Sequence, residues 1–432
     1  MSKKNDELCG FYRFTQIDSI ARRAARLSLR RGGFCEGFGD GLMIYSREKL
    51  FTESFALARA LQARSADRLS PRSILLSGGG MYDTLLLLIA SSLLSCPLTL
   101  SESLPDDVSG HELIISSDPR RDGARGGGII FTDELGSLAL GELCDTEDML
   151  SGFSFPDDRR FEIRFLTSSG SEAFSESAAL AIAGEYRRAE GLSRYEACFS
   201  TLPPYTKEGF FGGLLAPMLY SGRFGYAPTS DELFEQIRLC APSTLLSYRE
   251  VAIRISKEMQ ALRNAKSSWQ KGRGSHPLRR RLDRIFPRTR AALRRLKMIS
   301  IRYPFGNKLA RIVCIGEPER ESAGLLHSLG IFSHSLMTVE GCGLAGFRFS
   351  HDPDGLWQLP RSLSASMCDV RAGGVGKLTF LGDNLALGKS EYHSTRVGSF
   401  RSELLYPRLL VSDIWGFPSK NHTFFAKKLN NF

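Results

Sequence analysis

The chain has 432 residues, 42% of them apolar, which is enough to bury a large core and excludes an intrinsically disordered protein. Its nine cysteines and seven histidines form no CxxC pair and no HxxxH cluster, so we expect a reducing compartment and no structural zinc. The net charge of +10 comes from residues 257–299, which hold fourteen Lys and Arg against two acids.

The N-terminal residues and the longest apolar run both favour a cytoplasmic protein. Residues 1–7 carry charges with no apolar run behind them, so no secretory signal is predicted. The apolar run over residues 85–100 is interrupted by serines and a proline. It is shorter than the roughly 20 residues that a membrane span needs, so it predicts a buried helix leading into a strand.

Strand and helix patterns alternate along the chain. Residues 20–27 have helical spacing with a basic face, which favours a solvated helix. The strands and helices that follow predict a mainly parallel, helix-flanked sheet. Those elements are a strand and helix over 43–61, a strand at 73–77, a helix through 94, strands at 112–116, 128–132 and 161–165, and a helix at 178–186.

A turn of hydroxyl residues and glycine follows the strand at 161–165. It consists of Thr167, Ser168, Ser169, Gly170 and Ser171. Backbone N–H groups and hydroxyls can converge in such a turn without side-chain bulk, which is how loops bind phosphate. Ordinary loop chemistry is the alternative. The turn at residues 78–80, Gly-Gly-Gly, has the same two interpretations, and the structural one is favoured there.

The loop resembles the phosphate loop of the adenylate-forming superfamily of acyl- and aryl-CoA synthetases. The family pattern is Thr-Ser-Gly-Ser/Thr-Thr-Gly-x-Pro-Lys-Gly, in which the Lys contacts nucleotide phosphate. Thr167 and Ser168 match this pattern, whereas Ser175 stands at the Lys and Glu172 at the second Gly. The resemblance therefore implies a phosphate loop without its cation.

Residues 305–346 are similar to long-chain fatty acyl-CoA synthetases in spacing and hydrophobic content. They end on a segment from 340 to 346 that reads Glu-Gly-Cys-Gly-Leu-Ala-Gly, where the family has Glu-Gly-Tyr-Gly-Leu-Thr-Glu. In the family the Tyr lies near adenine, the Thr touches phosphate and the Glu holds magnesium. Cys342, Ala345 and Gly346 occupy those positions, so the resemblance implies that Gly341 and Gly343 are kept and that the magnesium site is lost.

The C-terminal part resembles the end of the family's large domain. Residues 376–382 match a hairpin of its small barrel, and Asp413 matches an Asp that binds ribose hydroxyls. Lys427 stands at an Arg of the hinge. The mobile C-terminal domain that carries the family's catalytic Lys is expected to be absent.

The resemblance implies an α/β fold. We expect two helix-flanked, mainly parallel sheet subdomains in layered packing plus a small β-barrel, as in the large N-terminal domain of acyl-CoA synthetases. Residues 1–39 are expected to form an N-terminal extension, 40–426 the large domain and 427–432 a truncated hinge.

Two functions follow as hypotheses. The first is a pseudoenzyme or an acyl- and nucleotide-binding scaffold in lipid metabolism, with weak AMP or ATP binding, a fatty acyl ligand and no catalytic residue. The second is an active AMP-forming ligase that uses a lid from another chain. The predicted nucleotide-binding residues are Thr167, Ser168, Ser169, Gly170, Ser171, Gly341, Gly343, Asp413 and Lys427.

The basic segment at 257–299 predicts two short amphipathic helices separated at Pro287. Aliphatic residues alternate there with arginines, which favours peripheral contact with an anionic membrane over nucleic-acid binding. The alternative is that the apolar faces pack on the domain and the arginines are solvated. The predicted anion-binding residues are Arg279, Arg280, Arg281, Arg284, Arg294 and Arg295.

Overall fold

The computed structural model describes most of the chain. The described residues are 19–28, 32–38, 41–65, 71–117, 129–141, 161–167, 170–228, 231–272, 303–350, 352, 356–368, 370, 376–387, 408–419 and 423–427. For 265–272, 408–419 and 423–427 the backbone alone is described.

The helices follow the predicted order. In chain order they are α1 (Ile20–Ser28), α2 (Arg47–Arg64), α3 (Met81–Leu94), α4 (Thr132–Gly141), α5 (Glu176–Glu190), α6 (Ala216–Tyr220), α7 (Leu233–Cys240), α8 (Arg249–Gly272) and α9 (Arg320–Ser328). A π-helix at Gly209–Leu215 runs directly into α6, and a 3-10 turn lies at Tyr303–Phe305.

The strands up to residue 248 are β1 (Gly33–Phe38), β2 (Gly41–Ser46), β3 (Ile74–Ser77), β4 (Leu98–Ser101), β5 (Leu113–Ser116), β6 (Ile129–Phe131), β7 (Glu162–Thr167), β8 (Gly170–Ser175), β9 (Ala197–Ser200), β10 (Arg223–Tyr226) and β11 (Thr244–Tyr248). The strands that follow are β12 (Arg311–Ile315), β13 (Phe332–Val339), β14 (Cys342–Arg348), β15 (Leu356–Gln358), β16 (Leu363–Cys368), β17 (Gly376–Gly382), β18 (Arg408–Ser419) and β19 (Thr423–Lys427).

The first sheet contains six strands in the order β6-β5-β3-β4-β7-β8. Neighbours are parallel from β6 to β7, and β7 and β8 form an antiparallel hairpin. Strands β3, β4 and β5 are buried along their whole length. Parallel strands covered on both faces are continuous apolar runs, which is why the sequence predicted them.

The second sheet contains thirteen strands in the order β16-β17-β18-β19-β15-β14-β13-β12-β11-β9-β10-β1-β2. The six strands from β13 to β1 are parallel to one another. From β14 onward the pairs are antiparallel. These antiparallel strands lie where the sequence predicted a small β-barrel, and they continue the parallel sheet.

One buried apolar cluster joins the two sheets. It contains Leu76 of β3, Phe224 of β10 and most of α3, whose Leu85 and Leu87 are fully buried. The helices therefore lie in layers between and around the sheets, which confirms the predicted α/β class with helix-flanked, mainly parallel sheets. None of the helices in the described ranges has both the length and the apolar character needed to cross a bilayer.

Helix α1 is not a solvated helix, contrary to the prediction. Its apolar face is buried in the common core, and the Ile20 N–H donates to Glu176 Oε1 over 2.8 Å. The buried residues are Ile20, Ala21, Ala24 and Ala25. Strand β1, which also lies within the predicted N-terminal extension, pairs with both β10 and β2. Small alanine side chains let α1 approach α2 and α3 closely, so the burial of four apolar residues is enough to pack α1 against them.

Candidate functional site

The predicted phosphate loop is the end of the β7–β8 hairpin. Thr167 pairs with Gly170 in the antiparallel register, and the Thr167 hydroxyl donates to the Gly170 carbonyl oxygen over 2.9 Å. Thr167, Gly170 and Ser171 are exposed at this end. Ser168 and Ser169 lie outside the described residues. The described part of the loop is therefore a strand end with an exposed backbone, and the Thr167 hydroxyl bonds within the hairpin.

Ser175, at the position of the family's Lys, begins helix α5. Its Oγ accepts the Ala178 N–H over 3.2 Å, and its backbone is extended, as expected of an N-cap residue. The next residue, Glu176, accepts the Ser92 hydroxyl over 2.6 Å in addition to the Ile20 N–H. This position therefore starts a helix and anchors α1, and it supplies no positive charge to the hairpin.

Glu172, at the position of the second loop glycine, forms a buried ion pair with Lys207. The Lys207 Nζ lies 2.9 Å from Glu172 Oε2 and donates to the Val339 carbonyl oxygen over 2.8 Å. The two side chains are 10% and 8% exposed, Lys207 first. The ammonium group thus connects β8 to the end of β13, and a buried carboxylate of this kind needs such a partner.

Sequence reasoning missed Lys207. Lys207 and Glu172 are 35 positions apart, so no helix or strand spacing pairs them. The available signal was Glu172 itself. A carboxylate at a glycine position of a strand packed on a core requires a cation nearby.

Residues 384–387 connect the hairpin to strand β14. The Leu387 N–H donates to the Ala173 carbonyl oxygen over 2.5 Å, and the Ala386 N–H donates to the Gly341 carbonyl oxygen over 2.8 Å. The two motifs that the sequence analysis identified separately, the hairpin and the segment around Gly341, are thus neighbours in the fold.

The two predicted glycines of this segment have structural roles. Gly341 has a φ of 75°, a left-handed conformation that glycine adopts without strain, at the turn between β13 and β14. Gly343 is buried, and a Cβ there would lie 2.4 Å from Ile182 Cδ1 and 2.8 Å from Asn384 Oδ1. Gly343 therefore permits close packing of β14 on helix α5.

Replacing Gly343 with alanine is expected to lower the free energy of unfolding by about 1–3 kcal/mol, since the added methyl overpacks the contact with Ile182. The control is Gly324→Ala in helix α9, where a Cβ meets nothing within 4 Å. That change should be neutral or stabilising, because alanine favours helices by about 0.5–1 kcal/mol over glycine. Urea unfolding of both variants makes the measurement, and equal stabilities would contradict the packing role.

Comparisons with known proteins find similar solved structures but no match by sequence. No protein-family model matches the sequence, and no curated protein matches it. VinN, solved with L-aspartate, is 10% identical, with a TM-score of 0.67 over 94% of this chain and 97% of that chain. The N-terminal domain of FACL13 from Mycobacterium tuberculosis is 11% identical, with a TM-score of 0.64 over 95% of this chain and 100% of that chain.

The unliganded O-succinylbenzoate coenzyme A synthetase (MenE) from Bacillus subtilis is 12% identical, with a TM-score of 0.64 over 96% of this chain and 80% of that chain. The chain has the adenylate-forming fold. This is the fold that the resemblance implied, and the match to an N-terminal domain alone confirms the predicted fold class.

In this adenylate-forming fold, the three positions that the resemblance assigns to adenine, phosphate and magnesium are buried. Cys342 and Ala345 are fully buried in an apolar cluster with Trp357, and Gly346 is buried beside them. Burial raises the pKa of the Cys342 thiol to about 12. In the described residues, these positions contribute to a core and offer no polar group to a nucleotide.

The glycine turn at residues 78–80 is occupied by a carboxylate of the chain. Glu36 of β1 accepts the Met81 N–H over 2.6 Å and the Tyr82 N–H over 3.2 Å, at the first turn of α3. A helix N-terminus favours hydrogen-bond acceptors that can carry negative charge, and here the acceptor is the Glu36 side chain. Burial raises the pKa of Glu36 to about 7. The structural interpretation of this turn therefore holds, with Glu36 as a partner that the sequence did not reveal.

Other predicted site residues remain predictions. Asp413 lies on β18 and Lys427 on β19, where only the backbone is described. The second half of α8 begins the basic segment at 257–299, and the rest of that segment, with all six predicted arginines, lies outside the described residues.

The residues around the hairpin fit a magnesium-bound triphosphate poorly. Among the described side chains, no group of three or more His, Cys, Asp or Glu is placed to hold a metal ion. The cation beside β8, Lys207, is paired with Glu172. Several phosphate charges would meet no net positive charge among the described side chains of the hairpin and Lys207.

Proposed function

We propose that this chain is a pseudoenzyme on the adenylate-forming fold, which acts as an acyl- or nucleotide-binding scaffold in lipid metabolism. The observation that supports the proposal is the buried Glu172–Lys207 pair. It places a carboxylate where the family's loop has a glycine, and it uses the neighbouring ammonium group to neutralise that carboxylate.

The chemistry explains why this pair argues against catalysis. Adenylation joins a carboxylate to the α-phosphate of ATP and expels pyrophosphate, so the site must stabilise growing negative charge on several oxygens. Losing one such contact costs ~10²–10³ in rate, or about 3–4 kcal/mol. Ser175, Cys342, Ala345 and Gly346 together replace the loop cation and three further groups of the family motif.

The lack of net positive charge at the hairpin favours AMP over ATP as a residual ligand. The hairpin end can direct backbone N–H groups at one phosphate, and Asp413 can accept two ribose hydroxyls. Each additional phosphate adds negative charge that nothing described at the hairpin compensates. A fatty acyl ligand remains part of the proposal through the resemblance to long-chain synthetases.

An active ligase is the second candidate, and Lys207 is the observation that favours it. Its ammonium group lies against Glu172 of β8, so rotation away from Glu172 would offer a phosphate the cation that Ser175 lacks. Breaking the pair would leave Glu172 buried and charged, which opposes this candidate.

Carboxylate-dependent release of pyrophosphate from ATP tests the proposal. Across a panel of fatty and aromatic acids, we expect turnover more than a hundredfold below the usual ~10 s⁻¹. An active acyl-CoA synthetase assayed in parallel is the positive control. Turnover within about a hundredfold of ~10 s⁻¹ would establish the ligase.

Calorimetry with AMP and ATP tests the ligand. We expect tighter binding of AMP than of ATP, and Ser175→Lys should reverse that order by returning a cation to the position where the family has its Lys. Lack of binding of either nucleotide up to millimolar concentration would refute a nucleotide-binding scaffold and leave only the acyl ligand to test.

A further inference from the structure

Two cysteines from distant parts of the sequence face each other at the edge of the large sheet. Cys35 lies on β1 and Cys240 is the last residue of α7, 205 positions later, and their sulfur atoms are 3.7 Å apart. Both are free and partly exposed, whereas the other free cysteines that the structure describes, Cys96, Cys198, Cys314 and Cys342, are buried.

The backbone around each thiol fixes this approach. Cys35 pairs with Gly225 of β10, and a Cβ on Gly225 would lie 2.5 Å from the Cys35 sulfur, so the glycine makes room for it. Helix α7 ends at Cys240 because Ala241 adopts a left-handed conformation, with a φ of 47°. A disulfide bond is about 2.05 Å long, so the two sulfurs must approach by about 1.7 Å.

The surroundings favour a thiolate at Cys35. The hydrogen bond between the two thiols lowers the pKa of Cys35, and the positive charge of Arg223 acts in the same direction, against the smaller opposing effects of burial and Glu36. The thiolate is the nucleophile in thiol oxidation, and a resolving cysteine within reach is the usual companion of an oxidisable thiol.

We propose that Cys35 and Cys240 form a reversible disulfide when the protein meets a peroxide. The Cys35 thiolate attacks one peroxide oxygen, the O–O bond breaks, and the products are a sulfenic acid at Cys35 and a water molecule once the leaving hydroxide is protonated. The Cys240 sulfur then attacks the Cys35 sulfur and displaces hydroxide, which takes the proton of the Cys240 thiol. In total, two thiols and one hydrogen peroxide give one disulfide and two waters.

The cross-link would tie β1 to α7. Cys35 directly precedes Glu36, whose carboxyl group holds the first turn of α3, so the oxidised pair fixes a strand of the large sheet that also contacts α3. The site is thus a redox modification site on a different sheet from the β7–β8 hairpin.

Peptide mapping of the whole folded protein under non-reducing conditions tests the proposal. After hydrogen peroxide treatment we expect a peptide pair linked through Cys35 and Cys240, the loss of two hydrogens from the intact mass, and reversal by dithiothreitol. Cys240→Ser should instead give a sulfenic acid at Cys35 that dimedone traps. Cys96→Ser, which changes a lone buried thiol, should form the disulfide as the native chain does.

Two results would overturn the proposal. One is that both thiols stay open to alkylation in native protein after peroxide treatment that oxidises a small free thiol in the same tube. The other is that linked peptides arise only after denaturation. A second measurement does not depend on any variant: the oxidised native protein should unfold at a higher urea concentration than the reduced one, and an unchanged midpoint would count against a cross-link between β1 and α7.

Discussion

Replacing Lys207 with methionine should lower the free energy of unfolding by about 3–5 kcal/mol, because it leaves the Glu172 carboxylate buried without its partner. Methionine keeps most of the length of the side chain, unbranched, and removes the charged group with its hydrogen bonds. The contact to the Val339 carbonyl oxygen is lost as well, so the end of β13 should loosen. Equilibrium urea unfolding, with hydrogen exchange at β13, makes the measurement.

Two further variants separate the charge from the packing. Changing both partners, Lys207→Met with Glu172→Leu, should recover most of the loss, since an apolar pair of similar volume replaces the ions. Arg249→Met removes an ion pair with Glu250 at the start of α8, in which the two side chains are 61% and 66% exposed, and should change the stability little. If Lys207→Met were as mild as Arg249→Met, the buried pair would not be the structural element described, and Lys207 would be available to a phosphate.

The second large effect concerns pH and Glu36. Its pKa is raised by burial from 4.5 to about 7 in the folded protein, so the folded state binds more protons than the unfolded state between those values. The stability that comes from the neutral form is present below pH 4.5 and is lost as the pH rises through 7. One such group changes the free energy of unfolding by about 3 kcal/mol over this window.

Glu36→Gln isolates this contribution. The difference in unfolding free energy between the native chain and the variant should fall by about 2–3 kcal/mol from pH 5 to pH 8, in favour of the variant at high pH. Asp83, whose pKa is also raised by burial, titrates in both proteins and cancels in the difference to the extent that it does not sense Glu36. A difference that stays constant across this range would show that Glu36 keeps its ordinary pKa.

The element order was readable from the sequence because the relevant signals are local. The glycine turn at 78–80 followed by a helix apolar on every side gave β3 and α3, and the boundaries predicted for them differ from the structure by one residue. Helix α1 was read as solvated because its arginines dominate its composition, whereas four small or branched apolar residues decide its burial. A narrow apolar face is a weak signal until the partner surface is known.

The contacts of the candidate site were harder to predict from the sequence, because they join residues that no helix or strand spacing relates. Lys207 meets Glu172 across 35 positions, and Glu36 meets Met81 across 45. The family motif shows which functional groups are missing at Ser175, Cys342, Ala345 and Gly346. It does not predict the ion pair between Lys207 and Glu172, because that pair depends on how separate elements pack together.

The place of β1 in the large sheet has a consequence for how the chain is made. Strands β1 and β2 leave the ribosome within the first 46 residues, but β10, on which β1 sits, ends only at Tyr226. At a synthesis rate of about 5–20 residues per second, β10 follows the β1–β2 hairpin after roughly 10–35 s. A lone hairpin is at best marginally stable in water. In the nascent protein, β1 and β2 therefore lack their partner strand β10 for most of the synthesis of the N-terminal half. This is the period in which a chaperone would protect the chain.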